Sequence, residues 1–369
     1  MSSALAATQD TYFITGYPGF IGKRLVKHIA EQAPHGRIYL LVQTKFLKEA
    51  TQYARGIKGA PIEILTGDVA DMHLGLSGEE YERLCDEVTQ IFHLAAISYL
   101  GMPRSAARRV NVDGTRNVLE LASDCKHLKR LNHFSTCYVS GDRVGVIAED
   151  ELERGQRFRN AYEETKFEAE KLVQAATPRL PITIFRPATV VGDSITGEID
   201  RFDGPYYLGM LLVLSPLAIP LPLPGNGVAP LNVVPVDFVL KAVWAISRNA
   251  NAVGRTVHLV DPNPMSARRV YERIAEKANK RLPRFNVPVR AADLFLRLPG
   301  LDKVARSQRA AINYVNHLAL YSCHYTLELL EGTGVRCPPL STYLDKLVDF
   351  AQAHYRAKEP GHDVDDPLA

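Results

Sequence analysis

Residues 11–22 read TYFITGYPGFIG. A short β-branched and aromatic run, Thr11–Thr15, enters the glycines Gly16, Gly19 and Gly22 and leaves in the amphipathic stretch GKRLVKHIAEQ. Strand, glycine turn and helix, in that order, make the opening unit of a nucleotide-binding βαβ fold. Gly16 suits the tight turn. Gly19 lets a pyrophosphate approach the backbone, and Gly22 lets the helix pack on the sheet. The N–H groups of the first helical turn, at Phe20, Ile21 and Gly22, then face the anion, and the helix dipole adds to the attraction. Tyr17 lies inside the same turn. The spacing is G-x-x-G-x-x-G rather than G-x-G-x-x-G, so an ordinary βα turn is the competing reading. The flanking strand and helix favour the nucleotide.

Downstream, β-rich runs alternate with helical patterns. Strands are expected at Arg37–Gln43, Ile62–Asp68, Gln90–Ala96, Arg130–Thr136 and Ile182–Ala188. Helical patterns between them include RRVNVDGTRNVLELASDC and AYEETKFEAEKLVQAA. This alternation predicts an α/β, Rossmann-type doubly wound parallel sheet with helices on both faces. A ligand belongs at the carboxyl ends of its strands. After Ala188 the chain turns Pro-rich and apolar to about Pro235. RTVHLVD (Arg255–Asp261) predicts a strand returning to the sheet, and SARRVYERIAEKANK and STYLDKLVDFAQAHYRA predict amphipathic helices. The expected organisation is a nucleotide domain at 10–190, with 233–262 returning to it. A smaller, mostly helical substrate-binding part covers 191–232 and 263–357, and 1–9 and 358–369 are loose ends.

Composition excludes several classes. Of 369 residues, 46% are hydrophobic and 23% charged, which supports a buried core and argues against global disorder. A net charge of +3, with no basic run interleaved with aromatics, gives no case for nucleic acid. The five cysteines are scattered and form no C-x-x-C pair, so no metal site and no disulfide framework is expected. A reducing cytosol fits. From Gly204 to Val236 no residue is charged, long enough to raise a membrane-spanning reading. Pro216, Pro220, Pro222 and Pro224 would break such a helix. A buried or half-buried substrate-side segment is preferred, and a peripheral membrane contact is compatible with it.

The second strand bears on the choice of nucleotide. An NAD site normally ends it in Asp or Glu, which holds the ribose 2′-hydroxyl. Here it ends LLVQTKF, with Gln43 and Thr44 in that place and Lys45 next. Lys23 and Arg24 follow the third glycine. A missing carboxylate beside cations suits a 2′-phosphate, hence NADP(H), although each cation alone reads equally well as a solvated surface charge. Asp68, in GDV, could accept from the adenine amino group or cap a turn. Tyr162 and Lys166, in AYEETKF, lie four apart on one helix face. A free tyrosine titrates near 10, too high for acid–base work, and an adjacent ammonium would lower that value. FSTCYVSG, at the end of the fifth strand, offers Ser135 or Thr136 to a substrate carbonyl.

TGYPGFIG, GDV, HLAA, NVDGTRNVLELA, FSTCYVSG, YEETK and FRPATVVGD come in the order seen in the extended short-chain dehydrogenase/reductases, which the chain resembles over about half its length. The resemblance implies a catalytic Thr136–Tyr162–Lys166 group, with Ser135 beside it and Asn111 as the family's structural asparagine. It also implies cofactor contacts at Val69, Ala95, Ala96, Pro187 and Val190, and a substrate side at Ser98, Tyr138, Tyr207 and Leu208. NAYEETKFEAEKLV, FRPATVVGDSITGEI, VVPVDFVLKAV and TYLDKLVDFAQ are similar to the fatty acyl-CoA reductase and thioester reductase branch. Gln43 departs from the Arg many of those reductases carry, and nothing resembles a carrier or adenylation domain. His93 reads as a strand-end residue near the cofactor, not a base, and Cys137 as a small buried residue.

What this implies is NADPH-dependent reduction of an acyl thioester, on CoA or a carrier protein, to an aldehyde and then an alcohol. A ketone or hydroxysteroid-type reductase of the same family is the alternative, and a non-catalytic NADP-binding sensor ranks last. A homodimer is left open.

Overall fold

The computed structural model describes residues 9–98, 102–200, 225–279, 287–288, 314 and 316–357. Tyr207, Leu208 and most of the uncharged stretch lie outside them. Two compact units emerge. The first contains Met1–Ala188, Phe238–Val260 and Leu320–Arg336, and the second contains Thr189–Asp237, Asp261–Ala319 and Cys337–Ala369.

The first unit is built on a seven-stranded parallel sheet. Its strands are β1 (Thr11–Thr15), β2 (Arg37–Val42), β3 (Ile62–Thr66), β4 (Gln90–His93), β5 (Arg130–Phe134), β7 (Ile182–Pro187) and β10 (Thr256–Leu259). A short strand, β6 (Gly145–Ile147), lies apart from that sheet. The spatial order is β3–β2–β1–β4–β5–β7–β10, so the winding direction reverses between β1 and β4. That is the switch point at which such sheets bind ligands. Register is continuous across it, with Thr15 opposite His93 and His93 opposite His133. β1, β5 and β7 are buried at every residue, as a sheet covered on both faces requires.

The covering helices are α1 (Phe20–Gln32), α2 (Leu47–Ala54), α3 (Gly78–Glu87), α4 (Arg104–Arg108), α5 (Gly114–Asp124), α6 (Ala161–Ala176) and α7 (Val236–Ser247). One face of the core joins Phe13, Tyr39, Ile91, Leu131 and Ile184 of the sheet to Leu84 of α3, Val118 and Leu121 of α5 and Val173 of α6. α3 begins in a reciprocal capping box between Ser77 and Glu80. The helix expected through Arg108–Cys125 is interrupted by a π-turn over Arg109–Asp113, which carries Asn111.

The strands stop one to three residues short of expectation, because the chain leaves the ladder at the carboxyl edge. Gln43 precedes a 3₁₀ turn over Thr44–Phe46, and Asp68, Ala95, Ala96, Ser135 and Thr136 all fall in the segments that follow strands. Leu320–Arg336, expected with the helical remainder, groups with the first unit. Glu149 explains this: its carboxylate accepts from the N–H groups of Tyr325, at 2.6 Å, and Thr326, at 3.2 Å. Those residues open a helix, α9 (His324–Leu330).

The second unit holds the parallel pair β8 (Thr189–Val191) and β9 (Val233–Pro235), with α8 (Ala267–Lys277) and α10 (Leu340–Ala357). Val191, Val233, Val270, Ile274, Tyr343, Leu344 and Leu347 form its core. Among the described residues no helix is long and apolar enough to cross a membrane.

Candidate active site

At the carboxyl end of β1, Gly16 takes φ +85°, the left-handed region open to glycine. A Cβ there would stand 2.8 Å from the Ala95 nitrogen, so the turn runs against the chain leaving β4. A Cβ on Gly22 would stand 2.4 Å from the Gly16 carbonyl oxygen, and one on Gly19 would stand 2.9 Å from it. Gly19 N–H closes the turn onto Gly16 O at 3.0 Å. α1 then starts with no side-chain cap and no acid in its first turn. Side chains would fill this cradle, and its uncapped N–H donors suit a pyrophosphate. Tyr17 is buried, its hydroxyl donates to Ala50 O at 3.3 Å, and burial pushes the phenol up to about 12.

Beyond β2, Gln43 Nε2 donates to Asp68 Oδ2 at 2.7 Å, while Ala70 N–H donates to Asp68 Oδ1 at 2.9 Å. Around this edge the Lys23 ammonium lies 4.5 Å over the Tyr53 ring, Arg24 stacks 4.5 Å over Phe20, and Lys45 lies 5.0 Å over Phe46. Val69 is buried and packs at Gly114, where a Cβ would stand 2.8 Å from Val69 Cγ2.

His93 ends β4 inside a closed chain of hydrogen bonds. Thr115 Oγ1 donates to Asn111 O at 2.7 Å, so it can only accept at 3.1 Å from His93 Nε2. His93 is therefore the Nε2–H tautomer, and its Nδ1 accepts from Thr15 Oγ1 at 2.8 Å. Thr15 Oγ1 accepts in turn from Ala95 N–H at 3.1 Å. Burial, then the Lys166 charge, lowers the imidazole to about 3, so it is neutral and unsuited to act as a base. Asn111 accepts from Ile97 N–H at 2.7 Å and donates to Ile97 O at 3.2 Å and to Thr165 Oγ1 at 3.0 Å. The π-turn is thereby fastened to the loop after β4 and to α6.

α6 is capped by Asn160, whose side chain accepts from Glu163 N–H at 3.0 Å. Tyr162 and Lys166 thus occupy its first two turns, facing the end of β5. Lys166 Nζ donates to Phe134 O at 2.6 Å. Burial lowers Lys166 to about 8, and Glu170 holds it up against that pull. Burial pushes Tyr162 up to about 12, and a hydrogen bond with Thr136 pulls it the other way. The expected lowering of Tyr162 by Lys166 is not among these effects; the charges acting on the phenol are Glu163 and Cys137, and both raise it. Thr136 itself caps the 3₁₀ turn Cys137–Ser140, accepting from Tyr138 N–H at 3.3 Å.

The first unit therefore brings together the glycine turn, Gln43 and Asp68, Ala95, Asn111, Ser135, Thr136, Tyr162 and Lys166. Ser98 is exposed in the loop after β4, Tyr138 is half-buried, and Pro187 ends β7. Val190 lies on β8, in the second unit. Cys137 is buried, and its thiol donates to Arg186 O at 3.1 Å. Sequence reasoning did not single out Thr15, Thr115, Glu170 or Arg186. A signal for the last was present: an Arg inside the otherwise uncharged strand ITIFRP requires a buried partner.

Fold and site together define an extended short-chain dehydrogenase/reductase unit, a Rossmann domain with Thr136, Tyr162 and Lys166 at its carboxyl edge. The model of the NAD-binding family described as Male sterility protein matches residues 14–243, and the chain belongs to that family. The fatty acyl-CoA reductase wat of Drosophila melanogaster is 28% identical over 284 residues, 64% of this chain and 54% of its own length. The glycine betaine reductase ATRR of Emericella nidulans is 32% identical over 285 residues, 71% of this chain and 22% of its own. The chain thus spans about half the length of the first of these and about a fifth of the second. Among solved structures, the terminal R domain from the myxalamid PKS-NRPS pathway superposes with a TM-score of 0.81 at 26% identity, covering 97% of this chain and 94% of that one.

Proposed function

We propose that this chain is an NADPH-dependent reductase of acyl thioesters, carried on CoA or on a carrier protein, forming an aldehyde and, by a second reduction, an alcohol. The observation that carries the reading is the meeting of Thr136, Tyr162 and Lys166 at the end of β5, on the same carboxyl edge of the sheet as the glycine turn after β1. The similarity to a fatty acyl-CoA reductase and to a terminal R domain supports the thioester.

Bound NADPH supplies the hydride. Tyr162, held as a phenol at neutral pH by burial, donates its proton to the oxygen of the substrate carbonyl. Thr136 hydrogen-bonds the same oxygen. The Lys166 ammonium donates to Phe134 O and so holds α6 against the end of β5, where Tyr162 and Thr136 meet. The tetrahedral hemithioacetal then releases a thiol and leaves an aldehyde. Cations at Lys23, Arg24 and Lys45, with Gln43 in place of an acid, favour the 2′-phosphate of NADP.

The test is NADPH consumption and product analysis across acyl-CoA and acyl-carrier substrates of graded chain length. Turnover that falls by about 10²–10⁴ in Tyr162→Phe with nucleotide binding intact is expected. No oxidation with any thioester overturns the proposal.

A further inference from the structure

Three consecutive residues leaving β5 each reach a different turn of α6. Phe134 O accepts from Lys166 Nζ at 2.6 Å, the Ser135 hydroxyl donates to Glu170 Oε2, and Thr136 bonds Tyr162. Tyr162, Lys166 and Glu170 are spaced by four and share one helix face. The first two are the catalytic pair proposed above, but the chemistry gives the third no task.

Glu170 is fully buried. Besides Ser135, its carboxylate accepts from Arg186 Nη2 at 2.5 Å, from Arg186 Nε at 3.0 Å and from Gln174 Nε2 at 3.2 Å. Arg186 is only 1% exposed and also donates to the carbonyls of Glu149, at 3.2 Å, and Glu151, at 2.9 Å. Apolar residues of the same shape are often as stabilising as a buried ion pair, so core stability is a weak reason for this one. The environment of Lys166 suggests a stronger reason. His93 of β4 and His133 of β5 also face it, and burial keeps both neutral. Glu170 is the carboxylate that acts on it among the described residues.

We propose that Glu170 is a positioning residue of the active centre: one turn beyond Lys166 on the same helix face, its carboxylate supplies that lysine's counter-charge and, through Ser135, aims the chain at Thr136 toward Tyr162. This rests on the catalytic reading of Thr136, Tyr162 and Lys166. The ladder couples charge to geometry, because the same carboxylate that balances Lys166 grips the residue next to Thr136.

The experiment compares Glu170→Gln, Glu170→Asp and Ser135→Ala in the full chain. Lys166 is titrated by lysine-selective 13C NMR without nucleotide and assigned through Lys166→Arg. Alongside this, kcat, KM and the pH profile are measured with NADPH and an acyl-CoA. Glu170→Gln is expected to move the Lys166 midpoint down by about one unit or more. The basic limb of kcat/KM should follow, and Glu170→Asp should restore both. Ser135→Ala keeps the charge, so its Lys166 midpoint stays put while kcat falls about tenfold or more and KM holds. A wild-type Lys166 midpoint in Glu170→Gln overturns the proposal. So does loss of thermal stability alone, with kcat and pH profile intact. Should Glu170→Gln not fold, Ser135→Ala decides, and an unchanged kcat there overturns the proposal. Full activity in Tyr162→Phe would instead sink the catalytic reading, and the Lys166 midpoint would still judge Glu170.

Discussion

Gln43 donates from Nε2 to Asp68 Oδ2 at 2.7 Å, tying the residue after β2 to the turn after β3. The neutral amide stands where an NAD site would place an acid, and it engages the one carboxylate at that edge that sequence reasoning assigned to the cofactor. Gln43→Asp would put a second carboxylate beside Asp68, repelling a 2′-phosphate and accepting from a 2′-hydroxyl. The expected result is a shift of about tenfold or more in relative kcat/KM, away from NADPH and toward NADH. Steady-state kinetics with both nucleotides measures it, and an unmoved ratio would place selectivity elsewhere.

Gly22→Ala should be felt twice. Its Cβ would stand 2.4 Å from the Gly16 carbonyl, a backbone atom with little room to yield. A stability loss of about 1–3 kcal/mol is expected, with weaker nucleotide binding. Gly78→Ala is the control, since nothing lies within 4 Å of a Cβ there. Thermal melts with and without NADPH separate the two effects.

The pH dependence follows from Lys166. Its native value of about 8 lies below the free-lysine value of about 10.4. Between those values the folded state binds fewer protons than the unfolded chain. This group's contribution therefore makes stability rise with pH across that window, and it is least favourable below about 8. Activity should run the other way, because the ammonium is lost as pH climbs through about 8. Tyr162, near 12, stays a phenol throughout. Chemical denaturation and kcat/KM measured between pH 6 and 10 (roughly the span of these groups) should show opposite slopes above 8. A flat rate profile would remove Lys166 from the chemistry.

Thr115→Val tests the His93 chain. It keeps shape but leaves His93 Nε2–H without its acceptor, at a cost of about 1–3 kcal/mol. Calorimetry should show a melting temperature lower by several degrees, roughly 2–4 °C per kcal/mol. Thr115→Ser should recover most of the loss.

Much of the first unit was legible because its signals are local. Thr11–Thr15 followed by Gly16, Gly19 and Gly22 specifies strand, turn and helix through near-neighbour backbone preferences. The four-residue spacing of Tyr162 and Lys166 follows from helix geometry alone. Strand ends were overestimated at Gln43, Asp68, Ala96 and Thr136, since hydrophobic pattern does not mark where a chain stops pairing and turns into a site. Glu170 read as one more charge on a helix rich in charges, and only its burial against Arg186 distinguishes it.

The sequence by itself determined the order of strands and helices, the glycine turn, the missing acid after β2 and the four-residue spacing of Tyr162 and Lys166 on one helix face. These depend on covalent neighbours and on periodicities of two to four residues. Tertiary structure alone decided that Lys166 donates to Phe134 O and exerts no resolved pull on Tyr162, that His93 is neutral between two threonines, and that Leu320–Arg336 joins the nucleotide unit through Glu149. Burial and partner geometry set those outcomes. Both are properties of which distant segments meet, and no local stretch of sequence records them.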